Sequence, residues 1–259
     1  MGGTDSILPG GKGVWIPIDH GVSDYPVNGL ENLENLITLL AENGADAIVA
    51  QKGVVSRFGH LHKGHMIAHL SVSTRHSGEH SSNKILVGSV EESLLRGANG
   101  VSVQVNLGSQ YEPEMIERLG SVSEDANQHD LPLLGMIYPR GENLNLMPDD
   151  DTKGAAHAAR LAFEMGCDVV KTIWTGDIHS FSKVCAAVPI PVLIAGGPAG
   201  AGTLQILETV YQAMQAGAGG VCMGRQVFSH ESPGKMVKAL KSIVHDGLDA
   251  EQALSHSGL

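Results

Sequence analysis

Asp168-Val-Val-Lys-Thr-Ile-Trp-Thr-Gly-Asp177 sets a single lysine in the middle of a short apolar run. On a strand, side chains alternate with period two, so Val169, Lys171 and Ile173 share one face. Burying an unpaired ammonium among apolar neighbours is costly, and a strand keeps one only if the amine is neutralised, paired or used. A desolvated lysine that sheds its proton near neutral pH attacks carbonyl carbon and forms a Schiff base. The plainer account is a lysine that snorkels outward from an edge strand.

Other reactive side chains follow apolar runs elsewhere. Asp19 and His20 close one run, Tyr138 and Arg140 close another, and glycine turns (Gly196-Gly197, and Gly224 with the basic Arg225) close two more. Amine, phenol and carboxylate at one mouth are the parts of a Schiff-base enzyme: the amine attacks a ketone, the phenol or carboxylate moves protons, and a carboxylate positions a hydroxyl. Singly, each has a duller role, Asp19 as a turn or helix cap and Tyr138 as a half-buried aromatic with a wet hydroxyl. The two glycine turns let backbone amides approach a phosphate, with Arg225 as a charged clamp; plain tight turns are the alternative.

Histidines offer a competing chemistry. His60, His62, His65 and His69 fall within ten residues, and His76 and His80 follow. Zinc is a candidate ligand for such a set, and a zinc-dependent barrel hydrolase is the function it would imply. His65 and His69 are spaced i, i+4, but the glutamate that the zinc-protease pattern puts after the first histidine is missing. The cluster is expected to lie in one loop without a nearby carboxylate.

What must position these groups is a regular scaffold. Eight apolar runs of strand length recur: Val14 to Ile18, Ala47 to Ala50, Ile85 to Val87, Val101 to Val105, Leu133 to Ile137, Val169 to Ile173, Val192 to Ala195 and Val221 to Met223. Continuous rather than alternating runs suit parallel strands covered on both faces. Amphipathic helical segments such as 30–40 and 155–165 separate them. Four phrases, Asn43-Gly-Ala-Asp-Ala, Arg96-Gly-Ala-Asn-Gly, Met165-Gly-Cys-Asp-Val and Ala216-Gly-Ala-Gly-Gly, precede the second, fourth, sixth and eighth runs. This two-unit repeat predicts a (β/α)8 TIM barrel over 1–259 as one domain, with chemistry at the C-terminal strand ends. An open doubly wound sheet is the runner-up, but no GxGxxG turn follows the first strand.

Composition sets limits. With 42% hydrophobic and 17% charged residues the chain is globular, and a net charge of -11 argues against nucleic-acid or anionic-membrane partners. Three cysteines without a CxxC pair read as reduced thiols in a cytoplasm. Neither a secretion signal nor an apolar run of about 18 residues is expected.

Together Ile16-Pro-Ile-Asp-His-Gly-Val-Ser23, Gln51-Lys-Gly53, Met136-Ile-Tyr-Pro-Arg-Gly141, Ala156-His-Ala-Ala-Arg160, Val170-Lys-Thr-Ile-Trp-Thr-Gly-Asp177, Ala195-Gly-Gly-Pro198 and Gly224-Arg225 resemble the archaeal-type class I fructose-bisphosphate aldolase family over nearly the whole chain. The resemblance implies Lys171 as the Schiff-base lysine, Tyr138 for proton transfer, Asp19 beside them, and phosphate binding at Gly196, Gly197, Gly224 and Arg225. His20, Lys52, Arg140 and Trp174 would complete substrate binding. It implies further a metal-independent, cofactor-free aldolase or transaldolase that assembles as a homo-oligomer. Its donor would be dihydroxyacetone phosphate or a ketose phosphate, and its acceptor L-aspartate semialdehyde or, alternatively, glyceraldehyde 3-phosphate. Where the family carries a basic residue after Gly-Gly-Pro, this chain has Ala199, so amides alone would hold phosphate there.

Overall fold

A computed structural model describes residues 6–144, 151–196 and 200–259. In chain order its strands are β1 (Gly13–Pro17), β2 (Ala47–Ala50), β3 (His65–His69), β4 (Ser71–Val72), β5 (Ile85–Leu86), β6 (Gly100–Leu107), β7 (Leu133–Pro139), β8 (Val169–Thr172), β9 (Val192–Ala195) and β10 (Gly220–Cys222). Eight of them close a parallel barrel in the order β1-β10-β9-β8-β7-β6-β3-β2, while β4 and β5 form a separate antiparallel pair.

The helices are α1 (Leu33–Glu42), α2 (Lys52–Phe58), α3 (Val90–Leu95), α4 (Glu112–Gln128), α5 (Asp151–Glu164), α6 (Ile178–Ala186), α7 (Thr203–Gln215), α8 (Arg225–Phe228), α9 (Pro233–Val244) and α10 (Ala250–Ser257). Their apolar faces pack the outer layer of the core, for example Leu36, Ile37 and Leu40 of α1 and Ile206, Leu207 and Val210 of α7. A second, smaller cluster fills the barrel interior, with Trp15, Val49, Ile67, Leu134, Met136, Val169, Leu193 and Cys222.

The repeated phrases have a physical role. Gly44, Gly97, Gly166 and Gly217 all take positive φ between +81° and +99°, the left-handed turn that ends a helix without steric cost. Two residues later, Asp46, Asn99 and Asp168 accept hydrogen bonds from amides at the start of the preceding barrel strands β1, β3 and β7, namely Val14 (2.7 Å), Met66 (2.9 Å) and Leu133 (2.9 Å). In the fourth phrase Gly219 has no side chain, and its carbonyl takes the Gly13 amide instead (2.9 Å). Each phrase thus ties a helix end to the bottom of the barrel.

One strand differs from the sequence expectation. Ile85–Leu86 is not in the barrel; it pairs antiparallel with Ser71–Val72, and Ile85 stays exposed. The third barrel strand is β3, drawn from the histidine-rich stretch. Its apolar centre, Met66-Ile-Ala68, is only three residues long, and flanking histidines hide it from a reading by apolar runs.

Tight packing at the seam gives a prediction. Gly220 has φ of +123°, and a Cβ there would lie 2.0 Å from the Gly13 carbonyl oxygen. Because that neighbour is backbone held in the β1–β10 ladder, Gly220→Ala is expected to destabilise the barrel by about 2–4 kcal/mol. Urea unfolding followed by circular dichroism measures it.

Candidate active site

Lys171 projects from β8 into the barrel interior, in register with Met136 of β7 and Leu193 of β9, and is only 6% exposed. At the C-terminal end of the strands it shares a cavity of about 450 Å³ with Asp19, His20, Tyr138, Arg140, Gly196, Cys222, Gly224 and Arg225. The amine lies 6.0 Å from the centre of the Tyr138 ring and is hydrogen-bonded to Tyr138. The snorkelling lysine is excluded, because a closed barrel gives β8 no edge.

Burial pushes the Lys171 ammonium down, but Cys222, Tyr138 and Asp19 outweigh it and hold the group above the ordinary lysine value. Burial meanwhile drives the Cys222 thiol up to about 11, so of the sulfur and the carboxylate it is Asp19 that carries charge at neutral pH. Burial also raises Asp19, yet His69, His20 and Lys171 together leave its carboxyl below its usual range. This corrects the expectation of a resting neutral amine: desolvation alone would give one, and the partners reverse it. At neutral pH Lys171 therefore rests as an ammonium stabilised electrostatically by the Asp19 carboxylate.

His69 is a site residue that the sequence reading left in a loop. It ends β3, is 2% exposed, and bonds Ser102 Oγ through Nδ1 (2.8 Å) while Nε2 lies 3.9 Å from Asp19 Oδ2. Burial pushes its ring down to about 4, so it is a neutral imidazole beside the carboxylate at physiological pH. From the other side His20 Nδ1 stands 3.7 Å from Asp19 Oδ1 and its ring meets Phe228 edge-on. Period-two alternation through His65, Ile67 and His69 was the signal available in the sequence.

That strand also separates the histidines. His65 and His69 lie at opposite ends of β3, roughly 13 Å apart at about 3.3 Å per residue, and His62 sits by the Asp46 carbonyl at the barrel bottom. Among the described residues no group of three or more His, Cys, Asp or Glu could hold a metal ion.

Residues 14–230 match the model of the DeoC/LacD family of aldolases. The chain belongs to that family. A curated relative from Halobacterium salinarum, 2-amino-3,7-dideoxy-D-threo-hept-6-ulosonate synthase, is 41% identical over 94% of this chain and 91% of its own length. Another, 2-amino-4,5-dihydroxy-6-oxo-7-(phosphonooxy)heptanoate synthase of Streptomyces griseus, is 39% identical over 89% of this chain and 84% of its own. Among solved structures, an archaeal fructose-1,6-bisphosphate aldolase with its catalytic lysine covalently bound to the carbinolamine intermediate superimposes with a TM-score of 0.80, at 30% identity, over 90% of this chain and 94% of that one.

The remaining sequence candidates of this DeoC/LacD aldolase divide. Gly224 brings the β10 turn against β1, since a Cβ there would lie 2.7 Å from the Pro17 carbonyl oxygen and 2.6 Å from the His20 ring. A Cβ on Gly196 would lie 2.1 Å from the Gln226 side chain. Gly197 and Ala199 lie outside the described residues. Two candidates stand away from the cavity. Lys52 pairs with Glu92 at 3.1 Å, and Trp174 packs on Phe181 with ring centres 5.1 Å apart. Conversely Lys84, which sequence reasoning missed, lines the cavity.

Proposed function

We propose that the protein is a Schiff-base aldolase joining a phosphorylated three-carbon ketone to an amino-acid aldehyde, L-aspartate semialdehyde first. The observation that carries this reading is the buried Lys171 amine, flanked by Tyr138 and Asp19 inside one cavity. Lys171 adds to the donor ketone to give a carbinolamine. Water leaves with a proton from Tyr138 to give the imine; loss of a carbon-bound proton to the same oxygen gives the enamine, while Asp19 orients a substrate hydroxyl. The enamine attacks the aldehyde, and hydrolysis returns the amine.

The Streptomyces relative's name describes a matching product: carbons 5 to 7 are a phosphorylated ketone, and carbons 1 to 4 an amino-acid aldehyde after addition. The Halobacterium relative's name keeps the amino-acid half and lacks oxygen at carbon 7. Support for a phosphorylated donor here comes from Gly196, Gly224 and Arg225 on the cavity wall and from α7, whose N-terminus at Gly202 carries no side-chain cap. Arg225→Ala is therefore expected to raise the donor KM by about ten- to a hundredfold with a smaller change in kcat.

The deciding experiment incubates the protein with dihydroxyacetone phosphate and either L-aspartate semialdehyde or glyceraldehyde 3-phosphate, then weighs the products. Condensation with the amino-acid aldehyde supports the reading; condensation with the sugar phosphate alone makes the protein a fructose-bisphosphate aldolase. Activity is expected to survive a strong chelator, and its loss would return a metal-dependent mechanism. A cytoplasmic homo-oligomer completes the proposal: three unpaired thiols suit a reducing compartment, and no described helix is long and apolar enough to cross a membrane. Sedimentation of the native protein tests the assembly.

A further inference from the structure

The mouth of the barrel has cationic groups at two ends, and the phosphate-side glycine turns account for one. Gly196 and Gly224-Arg225 follow β9 and β10, the seventh and eighth barrel strands in chain order. Lys84 arrives on the segment linking β4 to β5, which is inserted between the third and fourth barrel strands, β3 and β6. In a closed ring of eight, those positions face each other across the mouth, with Lys171 on the wall between them.

The segment bearing Lys84 is fixed in place. Asn106 Nδ2 of β6 donates to the Ser82 carbonyl (2.7 Å), Tyr111 bonds His80 (2.6 Å), and Arg118 donates to Asn83 Oδ1 (2.6 Å) and to the Lys84 carbonyl (2.9 Å). On its near side the Arg75 amide donates to the Ser23 carbonyl (3.0 Å). Lys84 Nζ is steadied by Ser73 Oγ at 2.6 Å. Asn106 also accepts from Arg140 Nε (2.9 Å), and the guanidinium lies over the Tyr138 ring at 4.5 Å. One asparagine therefore holds both the strap and the arginine at the cavity rim.

Lys84 and Arg140 line the same cavity; burial, and after it the Arg140 charge, pushes the Lys84 ammonium down, with Asp19 only partly opposing. Among the described residues neither forms an ion pair with a carboxylate, although Lys52, Arg75, Arg96 and Arg160 all do. Two like charges on one cavity wall, neither within ion-pair distance of a carboxylate among the described residues, form a site that a bound anion complements. Arg140 spends Nε on Asn106, leaving its terminal nitrogens as the fork that fits a carboxylate.

We propose that Lys84 and Arg140 are the acceptor-end anion site, holding the carboxylate of the amino-acid aldehyde so that its carbonyl carbon faces the enamine on Lys171. The assignment rests on the aldolase reading above and names what reads its second substrate. Specificity follows from the chemistry: an aldehyde without the carboxylate leaves both cations unpaired and binds poorly.

Full-length Lys84→Met and Lys84→Arg are assayed at saturating dihydroxyacetone phosphate against L-aspartate semialdehyde, glyceraldehyde 3-phosphate and uncharged propanal. In Lys84→Met, the kcat/KM ratio of aspartate semialdehyde to propanal is expected to fall by about tenfold or more, chiefly through KM. Lys84→Arg, which keeps the charge, should recover most of the ratio and rules out misfolding as the cause. An unchanged ratio overturns the site, as does an equal loss for charged and uncharged acceptors. A loss confined to glyceraldehyde 3-phosphate overturns the carboxylate assignment. The underlying reading has its own check: borohydride with dihydroxyacetone phosphate alone should trap the donor on Lys171 of the unaltered protein, and failure there sinks the aldolase chemistry whatever Lys84 does.

Discussion

Lys171→Met removes carbon–carbon bond formation, by about four orders of magnitude or more, and leaves a folded barrel. The two side chains are similar in length, and methionine adapts to irregular apolar surroundings such as Met136, Leu193 and Cys222, so the core keeps its volume. What disappears is the buried amine beside Tyr138 and Asp19; the cavity's other amine, Lys84, is held by Ser73 on the strap between β4 and β5. Loss of charge must be separated from loss of the nucleophile, because Lys171 also helps hold Asp19 ionised. Lys171→Arg makes that separation: it retains a cation near Asp19 but has no amine that forms an imine. Both variants are expected to be inactive and to show no mass adduct after borohydride with dihydroxyacetone phosphate, whereas the unaltered protein gains one donor per chain. Activity of Lys171→Arg within tenfold of the parent would mean that the cation, not a covalent bond, carries the chemistry.

Legibility in the sequence tracked how local the determining physics is. Seven of the eight barrel strands could be read as apolar runs because a strand covered on both faces must be apolar throughout. The β3 run failed that test because both its ends are histidines doing different jobs, His65 near the barrel bottom and His69 at the mouth. The repeat of glycine followed by Asp or Asn was visible as a pattern, but its purpose, capping the amide of another strand 32 to 35 residues away, exists only in three dimensions. Residues at strand ends, namely Asp19, His20, Tyr138, Lys171 and Gly224, converge because the barrel itself converges them. Lys52 and Trp174 came from motif resemblance instead, and both are occupied elsewhere, by Glu92 and Phe181. Lys84 was invisible for the opposite reason. It sits in a polar segment with no motif, and only the insertion of that segment across the mouth gives it a target.

Tyr138→Phe should cut the turnover rate by about a hundred- to ten-thousandfold, the range for removing a positioned proton-transfer group, with little change in fold. It should also move the pH profile, and the sign is fixed by the partners of Lys171. Because the amine must be neutral to attack, and its folded-state pKa lies above the ordinary value, donor trapping in the parent rises with pH until it passes that raised value. Tyr138 is one of the groups that raise it, directly and through a hydrogen bond. Phenylalanine offers neither, so the alkaline limb should shift to lower pH even as the rate itself falls. Asp19, held below its usual range, keeps its charge throughout and contributes nothing to the limb. A merely structural tyrosine would lower the rate without moving the limb, or change nothing. Stopped-flow trapping with borohydride from pH 8 to 12 distinguishes these cases, because a rate lowered equally at every pH removes Tyr138 from contact with the amine, and a rate within threefold of the parent throughout assigns the proton transfers to another group.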